Sequence, residues 1–81
     1  MTLKTVYKHI EFVPYGSDPA DYHCRSRADG FLLGYTHYFP GWDQVCFFPE
    51  FDTVHSSTCL ADIAAFLRQI NRGEMDKEPQ P

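Results

Sequence analysis

The sequence predicts an α+β fold: a four-stranded antiparallel β-meander with one C-terminal α-helix packed on one face (ββββα). Three observations carry this. Leu60, Ile63, Ala64, Leu67 and Ile70 recur at helical spacing towards the C-terminus. The chain before them consists of runs rich in β-branched and aromatic residues, broken by short turn segments. Two of those breaks, Asp29-Gly30 and Pro40-Gly41, are turn dipeptides of the kind that join adjacent strands.

Each element follows from local chemistry. Thr5 to Val13 reads as the first strand, and Pro14 to Ala20, with Gly16, Ser17, Asp18 and Pro19, as a loop. Tyr22 to Arg27 and Phe31 to Phe39 flank the Asp29-Gly30 turn as a hairpin. Gln44 to Phe48 is the fourth strand, stopped by Pro49, and Phe51 to Ser56 crosses to the helix. The helix spans about Thr58 to Arg72. Ser56, Ser57 or Thr58 can accept a backbone N–H at its start, and Gly73 stands where a left-handed residue ends it. Asp62 near the start and Arg72 near the end match the helix dipole.

An 81-residue chain holds one domain, here residues 1–73, followed by 74–81 (EMDKEPQP) as a disordered acidic, proline-bearing tail. Aromatic residues at 16% supply the apolar area that so small a core needs. A net charge of -4 argues against non-specific nucleic-acid binding, which needs a basic surface. No apolar run approaches a membrane span, so no membrane partner is expected. Lys4, Lys8, His9 and Glu11 interrupt the N-terminal apolar residues, so that segment does not read as a signal peptide. Three cysteines cannot all pair within the chain, which fits a cytoplasmic location with free thiols.

Strand parity assigns faces. If Asp29-Gly30 is a two-residue turn, Cys24 pairs with Tyr35 and Tyr22 with His37. One face then carries Tyr22, Cys24, Phe31, Leu33, Tyr35, His37, Phe39, Cys46 and Phe48, and being more apolar it should receive the helix. The other carries His23, Arg25, Arg27, Leu32, Gly34, Thr36, Tyr38, Val45 and Phe47, and should face solvent. A slip of one residue, or a bulge, would exchange these roles. The mixed arginine and aromatic character of the second face makes Arg25, Arg27, Tyr38 and Phe47 the candidate partner-binding residues, with Trp42 on a turn at the edge. The same face would suit a homodimer packed sheet to sheet. The bland alternatives are that arginine stems cover a few surface aromatics and that Trp42 folds back over the core.

Other chemistry has weaker footing. Cys24, His37 and Cys46 share a predicted face and Cys59 at the helix start could approach it, a conceivable metal-ligand set. No CxxC or HxxxH pair seeds such a site, however, and free cysteines are commonly buried small hydrophobes. Cys59 in the first helical turn with His55 nearby is the minimum for a thiol nucleophile, but no orienting group or oxyanion hole accompanies it. Asp18, Asp21, Asp29, Asp43 and Asp52 sit at loops and turns, and the five glycines are isolated from one another. The expectation is therefore no enzyme, no cofactor and no bound metal.

The run Tyr22-His23-Cys24-Arg25-Ser26-Arg27, followed by Asp29-Gly30, Leu33-Gly34, Phe47-Phe48-Pro49 and Leu60-Ala61-Asp62-Ile63 with Phe66-Leu67, resembles a group of small accessory proteins encoded by phages and prophages of Gram-negative bacteria. The resemblance covers about Tyr7 to Asn71. Its motifs are structural, no activity is assigned to the group as a whole, and no functional residue is carried over. It implies a non-enzymatic accessory protein in the host cytoplasm that binds a host protein stoichiometrically, as host-takeover, anti-defence and anti-CRISPR inhibitors do. A self-associating structural protein and a small metal-binding domain using Cys24, Cys46, Cys59 and His37 are the alternatives.

Overall fold

Four strands and one helix form over residues 3–73, the part of the chain that the computed structural model describes. Strands β1 (Ile10–Pro14), β2 (Tyr22–Ser26), β3 (Leu32–Phe39) and β4 (Gln44–Pro49) make one antiparallel sheet in chain order, and helix α1 (Ser57–Asn71) packs on one face of it. The ββββα architecture is as the sequence predicts. The stretch 74–81, read as a disordered tail, lies outside the described residues.

Helix α1 begins and ends on its own chemistry. Ser56 is extended and its hydroxyl accepts the Cys59 N–H at 3.1 Å, satisfying one of the donors that a helix start leaves open. Gly73 takes the left-handed conformation (φ +89°) with its N–H on the Ile70 carbonyl at 3.0 Å. Ile63 and Phe66 are buried, with Leu67 and Ile70 packed beside them. At about 100° per residue these define the inward direction, and Leu60 falls at the margin of the stripe, where it is half exposed.

The N-terminal segment departs from the sequence reading. Phe12 N–H bonds the Thr5 carbonyl at 2.8 Å and Tyr7 N–H bonds the Ile10 carbonyl at 2.9 Å, so the chain reverses before β1. Only Ile10–Pro14 enters the sheet, while Val6 makes an isolated bridge to Glu11. No glycine or proline marks this reversal. Its effect is to bury Leu3 and Tyr7 in the core.

The register between β2 and β3 decides which side chains meet the helix. The turn after β2 holds four residues rather than two. Ser26 N–H bonds the Phe31 carbonyl at 2.9 Å, and Gly30, at φ +74°, bonds back to the Ser26 carbonyl at 2.8 Å. That change alone moves the register by two and keeps the faces. A bulge then moves it by one: Arg25 pairs with Leu32, but Cys24 pairs with Gly34, leaving Leu33 extra. From Gly34 onward, β3 and β4 therefore present the opposite faces to those expected.

On the helix side, Phe66 stacks on Phe12 at 3.9 Å and meets Tyr22 edge-on at 5.0 Å. Thr36 is the buried polar residue there. Its hydroxyl accepts the Tyr22 N–H at 3.0 Å and donates to the Ala20 carbonyl at 2.7 Å, so its burial leaves no polar group unpaired.

Candidate binding face

The bulge turns an aromatic row outward. Tyr35, His37 and Phe39 of β3 stand with Cys46 and Phe48 of β4 on the side away from α1, joined by His23 and Arg25 of β2. Among the described residues no helix or strand packs over this face.

Its rings touch in sequence. Tyr15, from the loop after β1, stacks on His23 at 4.0 Å and meets Tyr35 edge-on at 6.5 Å. Tyr35 stacks on Phe48 at 5.2 Å, in the register β3 and β4 impose. Phe48 in turn contacts His37 at 6.3 Å and Phe39 at 6.2 Å, and Phe39 meets Trp42 at 5.6 Å. The result is a continuous band running from the β1–β2 loop to the β3–β4 turn.

Polar groups frame the band. Arg25 Nε lies 2.8 Å from Glu11 Oε2, and His37 Nδ1 lies 2.8 Å from Asp21 Oδ1. Partial burial, with Asp21 and Asp18 nearby, raises the Tyr15 hydroxyl above its ordinary value, so it stays a neutral hydrogen-bonding group at physiological pH. Rings with polar tips set on a rigid sheet can stack against apolar or planar groups of a partner while offering a few directional hydrogen bonds.

The candidate residues from the sequence are divided by the structure. Arg25 lies on the open face, paired with Glu11. Trp42, 70% exposed, stands at the end of the band rather than folding over the core. Arg27 lies beyond β2 in the turn, where its Nη1 donates to the carbonyls of Tyr7 at 2.8 Å and Lys8 at 3.4 Å, tying the N-terminal reversal to the sheet. Phe47 is on the helix side, with its ring over Gly34 and edge-on to His55 at 5.7 Å. Tyr38 shares that side but is 41% exposed, and its hydroxyl donates to the Asp43 carboxylate, an arrangement that raises its pKa. The placement of Tyr38 and Phe47 corrects the expectation that both face solvent beside Arg25, and the Leu33 bulge is the reason.

The sequence reading does not mark Tyr15, Tyr35, Phe39 or Phe48 as binding residues. The alternation Tyr35-x-His37-x-Phe39 is visible there as a ring at every second residue. Strand parity places it in the core, because a two-residue turn without a bulge puts it under the helix.

The sheet also separates the four residues of the metal reading. Cys24 is buried on the helix side, where burial and the neighbouring Cys59 push its thiol up to about 12. His37 and Cys46 are register partners on the opposite face. The four do not converge, and among the described residues no group of three or more His, Cys, Asp or Glu could hold a metal ion. His55 packs on Phe47 with its Nε2 buried and unpartnered, and no hydrogen bond joins it to Cys59. Among the described residues no helix is long and apolar enough to cross a membrane.

Comparison with protein-family models, with curated proteins and with solved structures returns no match.

Proposed function

We propose that this chain is a non-enzymatic binding module that acts by stoichiometric association with a host protein, using the helix-free aromatic face of its sheet. The observation that carries the reading is the uncovered band from Tyr15 through Tyr35 and Phe48 to Trp42. Large amphipathic rings held at fixed spacing on a sheet supply contact area at low entropic cost, and Trp, Tyr and Arg are the residue types on which binding energy concentrates. Arg25 lies on the same face, and Trp42 stands at its end.

The resemblance to small phage and prophage accessory proteins gives the reading its context. It makes the partner a bacterial host protein, the site of action the host cytoplasm, and the outcome inhibition of that partner, as in anti-defence or host-takeover proteins.

The test is affinity capture from a Gram-negative host lysate with the full chain, paired with Tyr35→Glu, after circular dichroism confirms that the variant folds. A host protein recovered with the wild type in equimolar amount and lost with Tyr35→Glu supports the reading. Capture that Tyr35→Glu leaves unchanged removes the aromatic face from it. Light scattering on the free chain separates a second copy from a foreign partner.

A further inference from the structure

Helix α1 and the outer edge of β4 border an open groove of about 680 Å³, which meets the aromatic face at Cys46 and Trp42. Leu67, Arg68, Asn71 and Arg72 form its helical wall, and Val45 and Phe47 its sheet wall. Those four helical residues recur at spacings of three and four, so they share one side of α1.

The sheet wall is an unpaired strand edge. Strand β4 has β3 on one side only. The Val45 N–H and C=O point away from β3 and are both taken by the Asn71 side-chain amide, at 2.8 Å and 3.1 Å. Alternation along an antiparallel strand makes Phe47 the next residue whose N–H and C=O point outward, and no described residue outside the sheet bonds them. A side-chain amide has the same donor and acceptor pair as a peptide bond. Asn71 thus occupies one position of an added strand, and Phe47 offers the next.

The groove also has a charge preference. Arg68 and Arg72 are the charged residues among the described residues that line it, and no carboxylate is among them, in a chain whose net charge is -4. Apart from Asn71 the remaining helical wall is apolar, through Ala64 and Leu67. Extended peptides that add to a sheet edge beside a helix gain affinity from main-chain hydrogen bonds and specificity from alternate side chains.

We propose that this groove is a second binding site, adjoining the aromatic face at Trp42, which takes an extended acidic segment of a partner protein by strand addition to β4. The segment pairs with the outward N–H and C=O of Phe47. Its apolar side chains lie against Leu67, and a carboxylate faces Arg68.

The probe is a fluorescein-labelled heptapeptide of alternating valine and glutamate, measured by anisotropy against the full chain. A second peptide carries lysine in place of glutamate. Saturable binding of the glutamate peptide alone, about tenfold weaker on Arg68→Glu and unchanged on Tyr35→Glu, with the Phe47 amide newly protected from hydrogen exchange, is the expected result. Absence of saturable binding, equal binding of the lysine peptide, or a Phe47 amide that exchanges as before overturns the proposal. Loss on Tyr35→Glu with no effect of Arg68→Glu moves the peptide to the aromatic face and also overturns it. A dimer in light scattering whose Phe47 amide is protected without peptide assigns the edge to a second copy instead.

Discussion

The ring of Phe47 lies in the space that a side chain at Gly34 would occupy. A Cβ built on Gly34 falls against that ring and 2.6 Å from the Phe48 carbonyl oxygen, so backbone as well as side chain would have to move. Gly34 is needed for close approach, and an aromatic ring covers the gap that glycine leaves in the strand. Gly34→Ala should therefore destabilise the domain by about 1–3 kcal/mol, the range for overpacked cores. Urea unfolding followed by tryptophan fluorescence measures this. A midpoint equal to the wild type would mean that Phe47 swings aside at no cost.

Asn71 protects β4 as well as ending the helix. Its amide bonds both outward groups of Val45. Asn71→Ala should cost about 1–2 kcal/mol, because the Val45 amide in a part-buried setting loses its partner. Hydrogen exchange at Val45 should accelerate while exchange in β2 stays slow. If Val45 and β2 accelerate together, Asn71 acts on global stability rather than on the edge.

The helix was legible in the sequence because Ile63, Phe66, Leu67 and Ile70 repeat at its own period and Ser56 and Gly73 mark its ends. The strands were legible as runs of β-forming residues between turn dipeptides, except that Thr5 to His9 folds back before β1 instead of extending it. The faces were not, because parity is carried through a turn and any odd insertion inverts everything after it. Leu33 is such an insertion, and as an ordinary β-strand residue it gives no local sign of being extra. The candidate site inherited that inversion. Arg25 precedes the bulge, so parity puts it on the open face where it stands, whereas Tyr38 and Phe47 follow the bulge and stand on the opposite face to the one parity assigns. Trp42, on a turn, owes its exposure to no parity argument.

The Cys24 thiol is the group through which pH should act most directly. Burial first, and Cys59 second, push it from an ordinary 9.0 up to about 12. The folded state therefore keeps a proton that the unfolded chain releases near 9.0. The stabilisation is complete below that pH and is lost as pH rises towards about 12. Tyr7, whose hydroxyl is also raised by burial, adds loss in the same direction at the alkaline end. Cys24→Ala should be less stable than the wild type at neutral pH, by about 1 kcal/mol for the lost packing. Its disadvantage should shrink as pH rises beyond 9. Urea midpoints for both proteins at neutral and strongly alkaline pH test this, and curves that stay parallel would remove Cys24 as the titrating group.

Deleting Leu33 tests whether the bulge is needed once the faces are set. Without the extra residue Arg25–Leu32 and Cys24–Gly34 become consecutive pairs, so β3 would pair with β2 in uninterrupted register and every side chain from Gly34 onward would keep its present face. Tyr35 and Phe48 would stay in the aromatic band, and Thr36 would keep the Tyr22 N–H and the Ala20 carbonyl. What is lost is local: the Leu33 side chain packs against the core, and its carbonyl accepts the Glu50 N–H at 2.9 Å. The deletion should therefore cost about 1–3 kcal/mol and leave a cooperative transition with a native near-ultraviolet signal. Near-ultraviolet circular dichroism and a thermal scan read this directly. A deletion variant without cooperative melting would mean that the bend and twist of the bulge, and not only its register, are needed to seat β3 and β4 under α1.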